Sequence, residues 1–278
     1  MARRSKSRRR SSSRRRTQSQ GAGNLKWYLL IAACLVVVGG IGYAAFSLVG
    51  KSRIDEATLC HTGGALNVTA VLLDLTDPLT KTQHDRLKVV LQDEVRLSST
   101  DTMISFGVVS EDSDNWGVRF AKCKPATGEN ANALYENPRL ISERYNKEFT
   151  QPMQAKLAAA ISGQSENQSP IMEALQSLIS QTPDFTQAKG QRKIIVVSDM
   201  LQHSDALSFY RGQGWKYFST SNGAHRLAGN LNGVSVEILR IPRSGPRIPK
   251  REVVEDFWSR YFDRQGSRAP SVRVLGDL

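Results

Sequence analysis

The sequence predicts an α/β domain on a doubly wound, mostly parallel sheet with helices on both faces, preceded by one transmembrane helix. Three observations carry that expectation. Short apolar runs rich in Val and Ile recur along the chain, the pattern of strands buried on both faces. Stretches with apolar residues at helical spacing separate them, and strands alternating with helices give a parallel sheet. Ahead of all of these, "WYLLIAACLVVVGGIGYAAFSLV" (27–49) contains no charged residue.

The charge is as uneven as the hydropathy. Ten of the 38 Lys and Arg lie within residues 1–26, whereas all 26 Asp and Glu lie beyond residue 50. The net charge of +12 is therefore mostly a property of the tail, and the domain is close to neutral. Residues 1–24 are Arg/Ser-rich, cannot bury a core, and read as a disordered cytoplasmic tail. Residues 25–50 read as the membrane anchor, since 27–49 as a helix would span about 34 Å. Trp27 and Tyr28 stand where an interfacial aromatic anchor belongs, and the arginine flank keeps the N-terminus in the cytoplasm. The expected protein is single-pass, in a bacterial inner membrane, with its domain periplasmic. "IAAC" (31–34) resembles a lipobox, but the strongly apolar run that follows makes Cys34 an intramembrane residue. Attraction to anionic lipid explains the tail at up to about 1 kcal/mol per basic residue. Contact with nucleic acid is the sharper alternative for the tail alone.

Residues 51–64 read as a linker and 65–278 as the domain. "ALNVTAVLLDL" (65–75) is a buried strand, and "LTKTQHDRLKVVLQDEVRL" (79–97) a helix with Leu87, Val90, Leu91 and Val95 on one face. "TMISFGVVS" (102–110) is a second buried strand and "WGVRFAKC" (116–123) a shorter, alternating edge strand. A polar loop with Gly128, Asn130 and Asn132 leads to a long helical stretch over 138–162, kinked near Pro152. "SPIMEALQSLISQ" (169–181) is an amphipathic helix. "RKIIVVSDML" (192–201) is a third buried strand ending in Asp199, and "VSVEILRI" (234–241) a fourth. A last amphipathic helix over 250–266 turns Val253, Val254, Phe257, Trp258 and Tyr261 to the core, and "SVRVLGDL" adds an edge strand. Outside the membrane lies an oxidising compartment, so Cys60 and Cys123 are expected to form a disulfide rather than remain two buried thiols.

In a parallel sheet, sites form where strands end at their carboxyl edge. Asp74 and Asp199 both close strongly apolar strands there. Three loops carry the oxygens: "DLTDP" after the first strand, "SP" at 169–170, and "SDM" after the third. Their order and spacing resemble a von Willebrand factor A-type domain over roughly residues 65–265, a Rossmann-like fold. In that family the loops hold a Mg²⁺ whose coordination a carboxylate of a protein ligand completes. Matched position by position, the resemblance implies Asp74 and Thr76 from the first loop, Ser169 from the second and Asp199 from the third. The second hydroxyl of the first loop is replaced by Pro78, and Asp77 is an additional carboxylate. Hard oxygen donors suit Mg²⁺, with Mn²⁺ as the alternative. The competing reading makes Asp77-Pro78 and Ser169-Pro170 helix caps that bind nothing, on a fold that has lost its metal.

Other chemistries lack their signals. A phosphotransferase of the haloacid dehalogenase kind needs an aspartate where Thr76 stands. The sequence has no Gly-x-Ser-x-Gly elbow and no Walker-type loop. His203 reads as a solvated loop residue near Asp199, and Cys60-His61 has no partner pair at metal spacing. The expected function is a membrane-displayed protein-binding domain without enzymatic activity. The alternatives are a metal-dependent hydrolase using Asp74 and Asp199, and a structural component of a membrane complex whose basic tail contacts nucleic acid.

Overall fold

The computed structural model describes residues 21–49, 54–129, 131, 136–162, 166–246 and 248–275. They belong to two units divided between residues 53 and 54. The tail through residue 20 lies outside the described residues, as do Asn130 and Asn132 of the polar loop. The first unit is one helix, α1 (Gly21–Val49). Its stretch Lys26–Ala44 is long and apolar enough to cross a bilayer core. Its large apolar side chains from Trp27 to Tyr43 are exposed, and Cys34 is a free thiol among them.

In the second unit six strands form one sheet: β1 (Asn67–Leu73), β2 (Thr102–Val108), β3 (Val118–Cys123), β4 (Arg192–Ser198), β5 (Val234–Arg240) and β6 (Ser271–Val274). Their spatial order is β3-β2-β1-β4-β5-β6. Every neighbouring pair is parallel except β2 and β3. The chain thus starts in the middle at β1, builds outward through β2 and β3, then returns to β4 and builds the other way. β1 and β4 lie side by side, and the strand order reverses between them.

The central strands are apolar on both sides because both faces are covered. Val68, Ala70, Leu72, Ile194 and Val196 point into one core with α5 (Ile171–Gln181) and α8 (Arg251–Arg264). Val71, Leu73, Ile195 and Val197 point into the other, with Leu87, Leu91 and Val95 of α2 (Lys81–Leu97) and with Phe149 and Met153. The period-two alternation along β1 and β4 distributes each strand between the two cores.

Local chemistry sets the helix ends. α2 opens with a capping box: the Thr80 hydroxyl accepts from the Gln83 amide, and Gln83 reaches back to the Thr80 amide. The expected cap at Asp77-Pro78 is not used, since the chain runs across the sheet edge for three more residues before turning helical. α3 (Pro138–Tyr145) and α4 (Gln151–Ile161) are joined through one wider turn, residues 146–150, with five-residue hydrogen-bond spacing. Pro152 has no amide hydrogen to donate, and the wide turn before it absorbs that loss, so the helical stretch is interrupted there.

Three segments differ from the sequence reading. Val253 is 48% exposed, so the α8 core stripe starts at Val254. The stretch read as a linker is part of the fold from Ile54 onward. Leu59 and Cys60 are buried, and the Cys123 amide donates to the Thr58 carbonyl at 2.7 Å. Residues 205–231 contain two short helices, α6 (Trp215–Thr220) and α7 (Gly223–Arg226), which no periodicity announced. They add Trp215 and Phe218 to an aromatic cluster with Phe257 and Tyr261 of α8.

Cys60 and Cys123 form the expected disulfide, 63 residues apart in sequence. It clips the entry segment to the antiparallel edge strand. Replacing both cysteines by serine is expected to lower stability by roughly 4 kcal/mol on the chain-entropy model, read as a shift in the urea midpoint.

Candidate functional site

The crevice lies where β1 and β4 end, at the reversal of strand order, which is the place an open α/β sheet offers a ligand. Asp74 is the first residue beyond β1. Its amide continues the sheet by donating to the Val197 carbonyl at 2.8 Å, which fixes its backbone. Its carboxylate is buried and accepts hydrogen bonds from three hydroxyls. Oδ1 accepts from Thr76 Oγ1 at 2.7 Å, while Oδ2 accepts from Ser198 Oγ at 2.6 Å and Ser169 Oγ at 3.0 Å. Thr76, Ser169 and Ser198 are all buried. Residues from two loops and from the end of β4 thus converge on one carboxylate.

Ser169 does not cap α5 with its side chain. The helix begins after Pro170 without a local side-chain cap, and Gln202 supplies one from a distance, its Oε1 accepting from the Met172 amide at 2.9 Å. The Ser169 hydroxyl is therefore directed to Asp74. Backbone bonds in both directions between Ser169 and His203, at 2.9 and 2.8 Å, join the second loop to the third. A buried network continues the junction. Glu173 accepts from Gln202 Nε2 at 2.9 Å and from Ser204 Oγ at 2.7 Å.

Asp199 follows β4, with Oδ1 accepting from the Leu201 amide at 2.8 Å. The turn after it passes through Met200 in a left-handed conformation, φ 68°, uncommon for a residue with a side chain. Two bonds hold it there: the Met200 amide donates to Ser198 Oγ at 2.7 Å, and its carbonyl accepts from the Trp258 indole at 2.8 Å. The aromatic cluster on α8 thereby sets the direction of the Asp199 loop.

Asp77 stands apart from the hydroxyl cluster. It is half exposed and faces Arg243, whose Nε lies 4.0 Å from it and 3.8 Å from Asp199 Oδ2. The Arg243 fork donates to the Asp77 carbonyl at 3.2 Å and the Pro78 carbonyl at 3.1 Å. His203 contributes backbone bonds to the site, while its ring packs edge-on against Tyr210, with centroids 5.3 Å apart. Burial, then the nearby Arg211 charge, hold that imidazole below its usual pKa.

The structure thus joins Asp74, Thr76 and Ser169 by direct hydrogen bonds, places Asp199 beside them and Asp77 on the rim. The sequence reading missed Ser198, Gln202, Glu173 and Arg243. Ser198 had a signal, a hydroxyl closing an otherwise apolar strand beside Asp199. Gln202 and Glu173 had none, because their partners are distant in sequence.

The electrostatics follow from burial. Desolvation raises the Asp74 pKa, against which the hydroxyls of Ser198, Thr76 and Ser169 act. Asp199 is pushed up to about 7, first by burial and then by the Asp74 charge, with the Leu201 amide and Arg243 acting in the opposite sense. All donors facing the crevice are oxygens. Among the described residues no three His, Cys, Asp or Glu side chains form a ligating group. A cation here would need the two carboxylates, Asp74 and Asp199, together with the hydroxyls of Thr76 and Ser169 and solvent. That donor set fits a hard divalent ion, and the shortage of positive charge around buried carboxylates is what such an ion offsets.

No family model matches the chain, and no curated protein matches it. Solved structures do. The von Willebrand A domain of SpRpn10 is 10% identical, with 77% of this chain and 91% of that one covered at a TM-score of 0.40. An aerotolerance-related membrane protein from Bacteroides fragilis, solved with multiple mutations to serines, is 13% identical over 76% of this chain and 92% of its own, at 0.37. BatB, a conserved hypothetical protein from Bacteroides thetaiotaomicron, is 13% identical over 76% and 91%, at 0.35. These likenesses concern the fold alone. The sheet of this chain, with five strands in parallel pairing and one antiparallel edge pair, is the mostly parallel, doubly wound arrangement that the sequence predicts.

Asp199 binds its proton near pH 7 when folded but near pH 4 when unfolded. Between these values the unfolded chain carries fewer protons, so metal-free stability should fall as pH rises from about 4 to about 7, by up to about 4 kcal/mol. Urea midpoints measured in chelator across that range should show the decline, and Asp199→Asn should flatten it.

Proposed function

We propose that the chain is a single-pass membrane protein that displays a von Willebrand A-like protein-binding domain on the periplasmic side of a bacterial inner membrane. Its carboxyl-edge crevice takes a divalent cation, Mg²⁺ or Mn²⁺, and engages a partner protein through a carboxylate. One observation carries the reading: hydroxyls from two loops and from the last residue of β4 converge on the buried Asp74 carboxylate at the reversal of strand order, with Asp199 beside it. The apolar helix Lys26–Ala44 supports the anchor, and the arginine-rich flank supports a cytoplasmic N-terminus. Asp74, Thr76, Ser169 and Asp199 would hold the cation, which would supply an electrophilic point for a partner's carboxylate. The chain's own residues pre-arrange that point. Ser198 and the Val197 carbonyl hold Asp74, while Trp258 holds the Asp199 turn.

A binding role suits these groups better than hydrolysis. Both Asp74 oxygens already accept hydroxyl protons, and the oxygen of Asp199 left free of its loop amide faces Arg243. General base catalysis needs a carboxylate free to take a proton from water.

Calorimetric titration of Mg²⁺ and Mn²⁺ into chelator-stripped full-length protein in detergent tests the reading. Saturable binding is expected, lost in Asp74→Ala and in Asp199→Ala. A partner captured by cross-linking in the membrane should likewise be lost from Asp199→Ala. Unchanged capture would separate the crevice from partner binding.

A further inference from the structure

We infer that Arg243 is a resident counter-cation of the crevice, whose positive charge competes with the divalent ion for Asp199 and so sets the site's affinity. This rests on the cation reading above and adds a residue that neither the loop motifs nor the resemblance contains.

The guanidinium approaches from the segment after β5, far from the motif loops in sequence. It is pinned on one side by the carbonyls of Asp77 and Pro78, at 3.2 and 3.1 Å. Its Nε is buried, and it has no hydrogen-bond acceptor among the described residues. That atom lies 3.8 Å from Asp199 Oδ2 and 4.0 Å from Asp77 Oδ2. Both separations exceed a hydrogen bond. Arg243 therefore acts on the two carboxylates through its charge rather than by sharing a proton. Its side chain is only 23% exposed, so solvent screens this interaction less than it would a surface pair.

The position of the charge gives it its consequence. The family pattern expects a further hydroxyl on the first loop, and this chain has Pro78 there. The Asp77 and Pro78 carbonyls in that part of the loop are already turned to Arg243. The same residue thus removes two neutral donors from the crevice and supplies a fixed positive charge next to the oxygen that a metal would use. A divalent ion entering beside Asp199 meets like-charge repulsion at short range. Replacing the fixed charge with a neutral side chain should tighten binding on the order of tenfold.

Mn²⁺ binding to the full-length chain in detergent, followed by loss of the free-ion electron paramagnetic resonance signal, reads this directly. Arg243→Gln should bind on the order of tenfold more tightly than the parent. Arg243→Lys, which keeps the charge but not the fork, should stay within about twofold of it. Asp199→Ala should abolish binding in the Arg243→Gln background. Arg243→Met removes the same charge and serves in place of Arg243→Gln if the latter does not fold. Equal affinity in parent and Arg243→Gln would leave the cation site standing and reduce Arg243 to a loop brace. Tightening by Arg243→Lys to the level of Arg243→Gln would overturn the inference as well, because the charge would not be responsible. No saturable binding in either parent or Arg243→Gln would remove the cation reading along with it.

Discussion

A buried carboxylate is costly unless its oxygens are satisfied, and the Asp74 carboxylate organises the functional edge of this molecule. It is satisfied by the hydroxyls of Thr76, Ser169 and Ser198 and by the Thr76 amide, without a formal positive charge in hydrogen-bond contact. Each hydroxyl comes from a different segment, two from loops and Ser198 from the end of β4. The carboxylate can be buried only if the end of β1, the entrance to α5 and the end of β4 are all in place. The parallel pairing of β1 with β4 achieves this by putting their carboxyl ends side by side.

The loops would not hold that geometry by themselves. Their rigidity comes from polar bonds reaching into the two cores. Gln202 caps α5 from across the crevice and bonds Glu173, while Ser204 bonds the other oxygen of the same carboxylate. Glu173 lies in the first turn of α5, where a negative charge is favoured by the helix dipole. A fully satisfied network of this kind defines one loop conformation, because any alternative leaves a buried polar group unpaired. Trp258 adds the third support, tying the left-handed turn at Met200 to α8 and through it to the aromatic cluster with Phe218 and Tyr261. The short helix α6 supplies Trp215 and Phe218 to that cluster, so a region without sequence periodicity still contributes to it.

Charge in the crevice is unevenly distributed. Asp74, Asp199 and Asp77 share the neighbourhood with Arg243, whose guanidinium is held by loop carbonyls and lies near two of them. The elevated Asp199 pKa expresses that imbalance. Arg243 relieves part of it, acting against the burial and the Asp74 charge that raise Asp199.

Much of the architecture was legible in the residues. Apolar runs within 65–75, 102–110 and 192–201 identified the buried strands, because burial on both faces demands continuous hydrophobicity. Leu87, Leu91 and Val95 identified the inward face of α2, because their spacing matches the helical repeat. Asp74 and Asp199 drew attention as carboxylates closing apolar strands, and the uncharged stretch 27–49 identified a helix long and apolar enough to cross a bilayer. The tertiary structure decided what local pattern does not encode. It set the order of the strands, directed the Ser169 hydroxyl to Asp74 rather than to the start of α5, and capped α2 at Thr80. It also brought Ser198, Gln202 and Arg243 to the crevice. These outcomes depend on which distant groups meet once the sheet is assembled, and a hydrogen bond spanning 95 or 124 residues, as from Ser169 or Ser198 to Asp74, leaves no periodic trace in the chain.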